Sequence, residues 1–457
     1  MKKLDYGDVH VGRNIFNSAL PLMIAQFLML LYNIVDRFYI GRIEGIGTVA
    51  LGAVGFCFPV IQLITGVTNL FGLGGSPLFG MALGEKRPEK AGQIVNTAYR
   101  CLCLSAAAIL VFGELLAPEI LTLFGAEGEA LRYGLPYLRI YLLGTLFVMV
   151  AGGLNPYITA QGFPRAGMVS VVIGGAANLI LDPLFIFGLG LGVSGAAWAT
   201  VLSQLLSVLY CLHFFAAPES LYKLRLIPRK GEAALRYAGD IAALGVVPFI
   251  MQATNSLVSI AANHELMIWG GSLYVSAMTI VMAVRSMMEV AANSIAQGAA
   301  PLISYNYGAR DAGKIRSGIR IMTLANVGYT LIVWILLALF PAFFSGIFTS
   351  DETLNAITIP ALHIYFFAFV FQALQFSGQN VFRAMNKRRQ ALFFSIFRKV
   401  ILVVPLTLLL PHLWGLGSDG VFLAEPVSNF LGGTLCYVTM WRTISRELAD
   451  WPEPQQA

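Results

Sequence analysis

Apolar residues run in stretches of roughly 20 to 30 along almost the whole chain, separated by short polar segments. A hydrocarbon core about 30 Å thick needs about 20 apolar residues per helical crossing, so each stretch predicts a membrane helix. They fall near 15–40, 49–80, 92–117, 135–161, 166–188, 193–217, 238–265, 271–305, 315–345, 357–384, 389–411 and 420–443. The reading is an all-α integral membrane protein with twelve transmembrane helices. The start, Met1-Lys2-Lys3, looks like a signal n-region, but Asp5 and Asp8 follow, and the run from Ile15 has no cleavage site. We therefore keep it as the first membrane helix.

An internal repeat divides the pattern. GGSPLFGMALG at 74–84 recurs 224 residues later as GAAPLISYNYG at 298–308, and Lys90 recurs as Lys314. The same step links Ile140-Tyr141 to Ile364-Tyr365, and it slips by one at Gly195 and Ser203 against Gly420 and Ser428. A constant register over that distance implies a duplicated six-span unit: an N-lobe at 1–217, a linker at 218–237 containing Pro218 and Pro228, and a C-lobe at 238–457. With an even number of spans per unit both copies point the same way, which predicts a pseudo-twofold axis along the membrane normal and a cavity between lobes.

Charge sets the orientation. The chain of 457 residues is 57% hydrophobic and 12% charged, with a mean hydropathy of +0.73, which excludes large aqueous domains. Its net charge of +6 collects in alternate loops: Lys86, Arg87 and Lys90; Arg165; Lys223, Arg225, Arg229 and Lys230; Arg310, Lys314 and Arg316; Lys387, Arg388 and Arg389. The other connections carry acids, among them Glu119, Glu127, Glu129, Asp351 and Glu352. Both termini are thus expected in the cytoplasm. No basic patch is interleaved with aromatics for nucleic acid. The five cysteines, Cys57, Cys101, Cys103, Cys211 and Cys436, lie in apolar spans and read as packing residues.

Ionisable residues inside the spans are costly and so are informative. Asp36 lies toward the outer end of the first span, and Asp182 toward the outer end of the fifth. Asn178 is one helical turn from Asp182 and shares its face, while Thr200 in the next span sits at comparable depth. Two neighbouring carboxylates in a low dielectric either share a proton or collect a small hard cation such as Na⁺, for which Asp36, Asn178, Asp182 and Thr200 are the candidate ligands. The alternative is that Asp36 pairs with Arg37 at the interface and Asp182 caps a helix before Pro183. The 224-residue step from Asp36 and Asp182 lands on Ile260 and Leu406, so the second half lacks the acids. That half has Arg285 and Glu289 four apart, which predicts an intrahelical ion pair, and Glu425 in the place of Thr200. Glu289 and Glu425 are also candidates to face a cavity and attract a cationic substrate, with Met282 among its apolar lining. Pro21 removes a helix hydrogen bond below Asp36 and is a candidate hinge; an ordinary membrane-helix proline is the alternative.

No HExxH zinc site follows His264-Glu265, and neither a GxGxxG nor a Walker A pattern is present, so no cofactor is expected.

The twelve-span duplicated plan, Pro21 with Asp36, QGFP at 161–164, NLILDP at 178–183, GVSGAA at 192–197 and PLISYNYG at 301–308 together resemble the multidrug and toxic compound extrusion (MATE) family, the last stretch its MepA-like bacterial branch. The resemblance covers nearly the whole chain. It implies a multidrug efflux antiporter of the bacterial cytoplasmic (inner) membrane, exchanging H⁺ or Na⁺ for amphipathic, cationic small molecules by alternating access. Such a protein is a secondary transporter and not an enzyme; its partners would be drugs or toxic organic cations and the lipid bilayer, and it would act as a monomer. In DinF-like members the N-lobe cation site matches Asp36, Asn178, Asp182 and Thr200 here, with Asn155 and Tyr137 in the surrounding network. Other members use acids in spans seven and ten, where this chain has Gln252, Thr254 and Asn255, then Gln372, Gln375 and Gln379. Gln252 and Gln375 are taken as neutral lining of a substrate cavity. Two rival readings are a flippase for lipid-linked oligosaccharides, which would want extra spans and a basic cavity, and an intramembrane enzyme, which would want a catalytic constellation in a cleft. Neither set of features is found in the sequence.

Overall fold

The computed structural model describes residues 3–228 and 232–451; Lys2 of the N-terminal reading, Arg229 and Lys230 of the linker and the tail beyond 451 lie outside the described residues. The described residues form helices and no strands: α1 (Val11–Gly41), α2 (Gly47–Gly84), α3 (Pro88–Leu123), α4 (Gly128–Leu143), α5 (Thr145–Ala160), α6 (Pro164–Pro183), α7 (Gly192–Ala216), α8 (Ala234–Ala309), α9 (Ala312–Leu339), α10 (Pro341–Gly346), α11 (Glu352–Phe366), α12 (Phe369–Ala384), α13 (Arg388–Ile396), α14 (Val404–Leu409), α15 (Ser418–Ser428) and α16 (Thr434–Ala449). Short π-helical turns at Leu184–Gly188, Phe397–Val403 and Asn429–Gly433 extend α6, join α13 to α14 and join α15 to α16.

Nine helices or helix runs among the described residues are long and apolar enough to cross a bilayer. Two bent pairs, α4 with α5 at 53° and α11 with α12 at 48°, bring the number to eleven. At 76 residues, α8 would be roughly 110 Å long if straight, several times the hydrocarbon thickness. It breaks at Gly271, whose φ of 71° and ψ of −167° leave the helix, and so holds two crossings. Twelve crossings result, as the hydrophobic pattern predicts. The pattern alone did not show that the fourth and tenth are bent, at Gly144 and at Phe367-Ala368, positions that themselves differ by the repeat step.

The repeat reappears as backbone geometry. Lys86 and Arg310 are both left-handed, with φ of 56° and 57°, and lie 224 residues apart. Gly162 and Asn386, with φ of 94° and 57°, are separated by the same step. A left-handed non-glycine residue costs about 1 kcal/mol or more, so its recurrence marks the same tight turn built twice.

By packing, the described chain forms two compact units. One contains Ile24–Pro248 with the N-terminal residues up to Asp5; the other contains Tyr6–Met23 and the chain from Phe249 onward. This division differs from the boundaries drawn at 217 and 238. Residues 6–23 group with the second half, while the start of α8 groups with the first. Pro21 lies within the unbroken α1, two residues before that helix passes from one unit to the other. The repeated glycine explains how each exchanged segment is received. A Cβ on Gly74 would come within 2.5 Å of the Ile241 carbonyl oxygen, and one on Gly298 within 2.5 Å of Ala19 Cα. Only a bare backbone admits the incoming helix at either place.

The linker packs against the first unit. Arg100 of α3 donates to the carbonyls of Arg225 and Ile227 and, at 2.7 Å, to Glu232, while Asn96 accepts from the Arg225 N–H at 2.5 Å.

Candidate functional site

In the first unit, α6 carries the sequence AANLILDP, which brings Asn178 and Asp182 one turn apart on the same face. Both are buried, and Asn178 Nδ2 donates to Asp182 Oδ1 at 3.0 Å. Beyond Asp182, Pro183 has no N–H to give, and the chain loosens into the π-helical turn at Leu184–Gly188. Gly175, one turn before Asn178, faces the ring of Tyr32 of α1, which a Cβ there would meet at 3.8 Å. One turn beyond Tyr32, the Asp36 carboxylate lies close enough to that of Asp182 for the two to act on each other. The phenols of Tyr32 and Tyr137 are close enough to feel both carboxylates, and the buried Tyr137 stacks on Tyr141 with centroids 6.4 Å apart.

Asp36 Oδ1, Asp182 Oδ2 and Asn178 Oδ1 are all buried without a hydrogen-bond partner among the described residues. An unsatisfied polar atom in such a place is expensive, and three in one place demand an explanation. Three oxygens suit a hard cation, and the carboxylate pair equally suits a shared proton.

The alternative readings of the acids are met only in part. The Arg37 guanidinium lies over the Phe58 ring, 5.7 Å from its centroid, and forms no ion pair with Asp36 among the described residues, although its charge acts on that carboxylate. Asp182 accepts from the Asn178 side chain, and among the described residues no backbone N–H donates to it. Two of the residues grouped with the acids stand apart. Thr200 is half-buried in α7 with no described hydrogen bond to the pair. Asn155 donates instead to the Gly167 carbonyl at 2.8 Å and to Ser170 Oγ at 2.9 Å. Ser170 is twelve residues before Asp182 on α6, or roughly 18 Å along its axis, so Asn155 braces the other end of the helix.

A second set of charges lies in the unit that begins at Phe249. Arg285 and Glu289 of α8 pair at 2.5 Å, as their spacing predicts. The Arg285 fork also reaches the Tyr365 hydroxyl and, at 2.8 Å, Glu425 of α15. Gln372 donates to Glu289. Glu425 Oε1 is further held by Arg398 at 2.9 Å and Lys399 at 3.3 Å, both from the π-helical turn at Phe397–Val403. Arg398 also donates to Asn429 Oδ1 at 2.5 Å. All of these cations are buried.

The sequence reading passed over Arg398 and Lys399 and found no basic cavity. The rule that singled out the acids, a charge deep in an apolar span, applies equally to this adjacent pair. Of the residues proposed to line a substrate cavity, Met282 and Glu425 do line one, of about 220 Å³, together with Ser259, Asn263, Tyr365 and Thr407. Glu289, Gln252 and Gln375 do not: Glu289 is occupied by Arg285 and Gln372, Gln375 donates to Gln379, and Gln252 is a half-buried residue of α8.

Comparison with known proteins adds the context for both sites. Multidrug export protein MepA of Staphylococcus aureus (strain MRSA252) is 24% identical over 409 residues, covering 89% of this chain and 88% of the relative. The protein of the same name from Staphylococcus haemolyticus (strain JCSC1435) is 23% identical over 429 residues, 93% of each chain. Among solved structures, an outward-facing multidrug resistance MATE family transporter of the MOP superfamily superposes with a TM-score of 0.91 at 22% identity, covering 98% of this chain and all of that one. A MOP superfamily transporter from Pyrococcus furiosus matches with a TM-score of 0.89, also at 22% identity, with 98% and 100% covered. The MatE family model matches residues 21–184 and again 248–409, once in each half of the repeat. With its multi-pass helical fold and a family match over most of its length, the chain belongs to the MatE family.

Proposed function

We propose that this chain is a multidrug efflux transporter that exports amphipathic small molecules across the bacterial cytoplasmic membrane in exchange for H⁺ or Na⁺. Family membership and the relatives named for multidrug export support the transport reading. One observation carries the coupling: Asp36 Oδ1, Asn178 Oδ1 and Asp182 Oδ2 are three buried oxygens with nothing to bind. Taking up a proton or Na⁺ there removes the repulsion between the carboxylates, and giving it up restores it. The site is thus a switch between two charge states, and the candidate hinge beside it is Pro21 of α1, below Asp36. A membrane potential adds about 2.3 kcal/mol per charge per 100 mV, so an ion moving inward can drive a substrate outward. Both termini are cytoplasmic in this reading, the protein acts as a monomer, and no chemical conversion of the substrate is involved.

The test is ethidium or fluorescent-dye efflux from proteoliposomes, with a pH gradient and a Na⁺ gradient imposed separately. Efflux under one gradient and its loss in Asp182→Asn is the expected result. Gradient-independent efflux, or full activity in Asp182→Asn, would refute coupling at the pair.

A further inference from the structure

The linker leaves α7 at Ala216, and from 220 to 227 it forms no helix or strand, yet its burial alternates. Ser220 is buried, and Tyr222 and Leu224 pack against the hydrophobic core of the first unit, the Tyr222 ring edge-on to Phe79 with centroids 5.4 Å apart. Leu221, Lys223 and Arg225 between them are exposed, as are Leu226 and Ile227. That is the period of two of an extended chain, with one face inward and one outward.

The backbone of this strip is pinned, so its outward face is a fixed one. Gln161 Oε1 accepts from the Leu221 N–H at 3.1 Å, Asn96 donates to the Lys223 carbonyl and accepts from the Arg225 N–H, and Arg100 donates to the carbonyls of Arg225 and Ile227. All three side chains that hold it are buried. The acid Glu232 is taken by Arg100 at 2.7 Å, and Glu219 lies in the turn before the strip. Lys223 and Arg225 are left with no ion pair among the described residues, between apolar side chains of which Ile227 is 82% exposed.

The depth of the strip follows from α3, to which it is bound. The Arg100–Glu232 pair and two unpaired cations would be costly in hydrocarbon, so the crossing begins beyond them, nearer Cys101 than the 92 of the hydropathy reading. From Cys101 to its end at Leu123, α3 is roughly 34 Å long, enough for a hydrocarbon core of about 30 Å. Asn96 and Arg100 precede that stretch by about 8 Å or less along the axis, which is the headgroup layer. Held at that level, a cationic face flanked by apolar side chains has lipid phosphates and the edge of the acyl region within reach.

We propose that this strip is a seat for an anionic phospholipid: Lys223 and Arg225 hold the headgroup phosphate, and Leu221, Leu226 and Ile227 enter the acyl boundary beside it. Two residues apart in an extended chain is about 6.6 Å, close enough for both cations to share one phosphate. The seat fixes the depth of the covalent link between the two repeats. With the linker cytoplasmic, as in the proposed function, the lipid belongs to the inner leaflet; lipid binding itself requires neither that orientation nor efflux.

The test uses the full-length protein purified in detergent, with no gradient, and follows its melting temperature as dioctanoyl phosphatidylglycerol, dioctanoyl phosphatidylcholine or inorganic phosphate is added. Phosphatidylglycerol is expected to raise the melting temperature at a concentration at least tenfold lower than phosphatidylcholine does, and inorganic phosphate to leave it unchanged. The double variant Lys223→Gln with Arg225→Gln should need about tenfold more phosphatidylglycerol for the same rise, and Leu221→Ser with Ile227→Ser several-fold more. These side chains are exposed, and an unaltered melting temperature without lipid checks that the variants fold. An equal response to the two lipids overturns the proposal, as does an unchanged response in the double Gln variant; a response to inorganic phosphate matching that to phosphatidylglycerol overturns a lipid as the occupant. Lipid selectivity retained in a protein that moves no dye would count against the exporter and support the seat.

Discussion

The two halves of this chain share a repeat, a set of bends and a pair of left-handed turns, yet they hold charge in opposite ways. In the first half Asp36, Asn178 and Asp182 each hold one buried oxygen without a partner, and among the described residues no cation forms an ion pair with the two acids. The second half buries three cations around one carboxylate, which is thoroughly satisfied on one oxygen. Position by position the contrast is sharp: one step of the repeat turns Asp182 into Leu406, and the one-residue slip turns Thr200 into Glu425. Unsatisfied oxygens need an exchangeable partner and so can cycle. A carboxylate clasped by three cations is already neutralised and is suited to holding helices and shaping a cavity. A duplicated scaffold can thus keep its geometry while its two copies take different electrostatic duties.

The most forceful way to break this comparison is to neutralise the first site. Asp182→Asn, alone or with Asp36→Asn, should lower gradient-driven efflux about a hundredfold or more while the amount of folded protein in the membrane is unchanged, as checked by transport and fluorescence-detected gel filtration. The second site should respond in stability instead. Glu425→Gln leaves buried Arg398 and Lys399 without a carboxylate, Arg285 keeping Glu289, and a loss of about 3 to 5 kcal/mol is expected, read as a fall in the melting temperature of the detergent-purified protein. If Glu425→Gln melts like the wild type, the cluster is not a lock. A smaller effect belongs to both halves equally. Gly74→Ala and Gly298→Ala each drive a methyl into backbone, and each should cost about 1 to 3 kcal/mol by the same measurement; a large difference between them would break the structural equivalence of the repeats. The smallest effect should come from Asn155→Ala. Its amide braces Gly167 and Ser170, away from the acids, and dye efflux at a fixed gradient should stay within about twofold of wild type.

Much of this architecture was legible in the chain before any coordinates. Apolar run length counts crossings because the bilayer imposes one length scale, and the constant step from Gly74 to Gly298 reveals the duplication. Asp36 and Asp182 stood out because a charge is rare at such depth. What the pattern could not convey is pairing. Whether Asp36 meets Arg37 or Asp182 depends on how α1 leans on α6, which spacing along the chain does not convey. Asn155 was misplaced for the same reason: depth along one helix says nothing of which turn of the neighbour it faces. Arg398 and Lys399 were equally legible, as a basic pair in an otherwise apolar span. The convergence of three cations on one oxygen of Glu425 is a property of the assembled cluster, and no single residue announces it.

The exchange of segments between the two units has a consequence for ancestry. Residues 6–23 group with the second half, and the stretch of α8 ending at Pro248 groups with the first. Advancing 6–23 by the repeat step gives 230–247, so the trade is reciprocal. A forebear with only one copy of the unit would therefore have had to lend its leading helix to a twin, as domain-swapped dimers do. Gene fusion would then have made a permanent bond of a voluntary one, and present-day halves severed at the linker should be unable to fold except in each other's company.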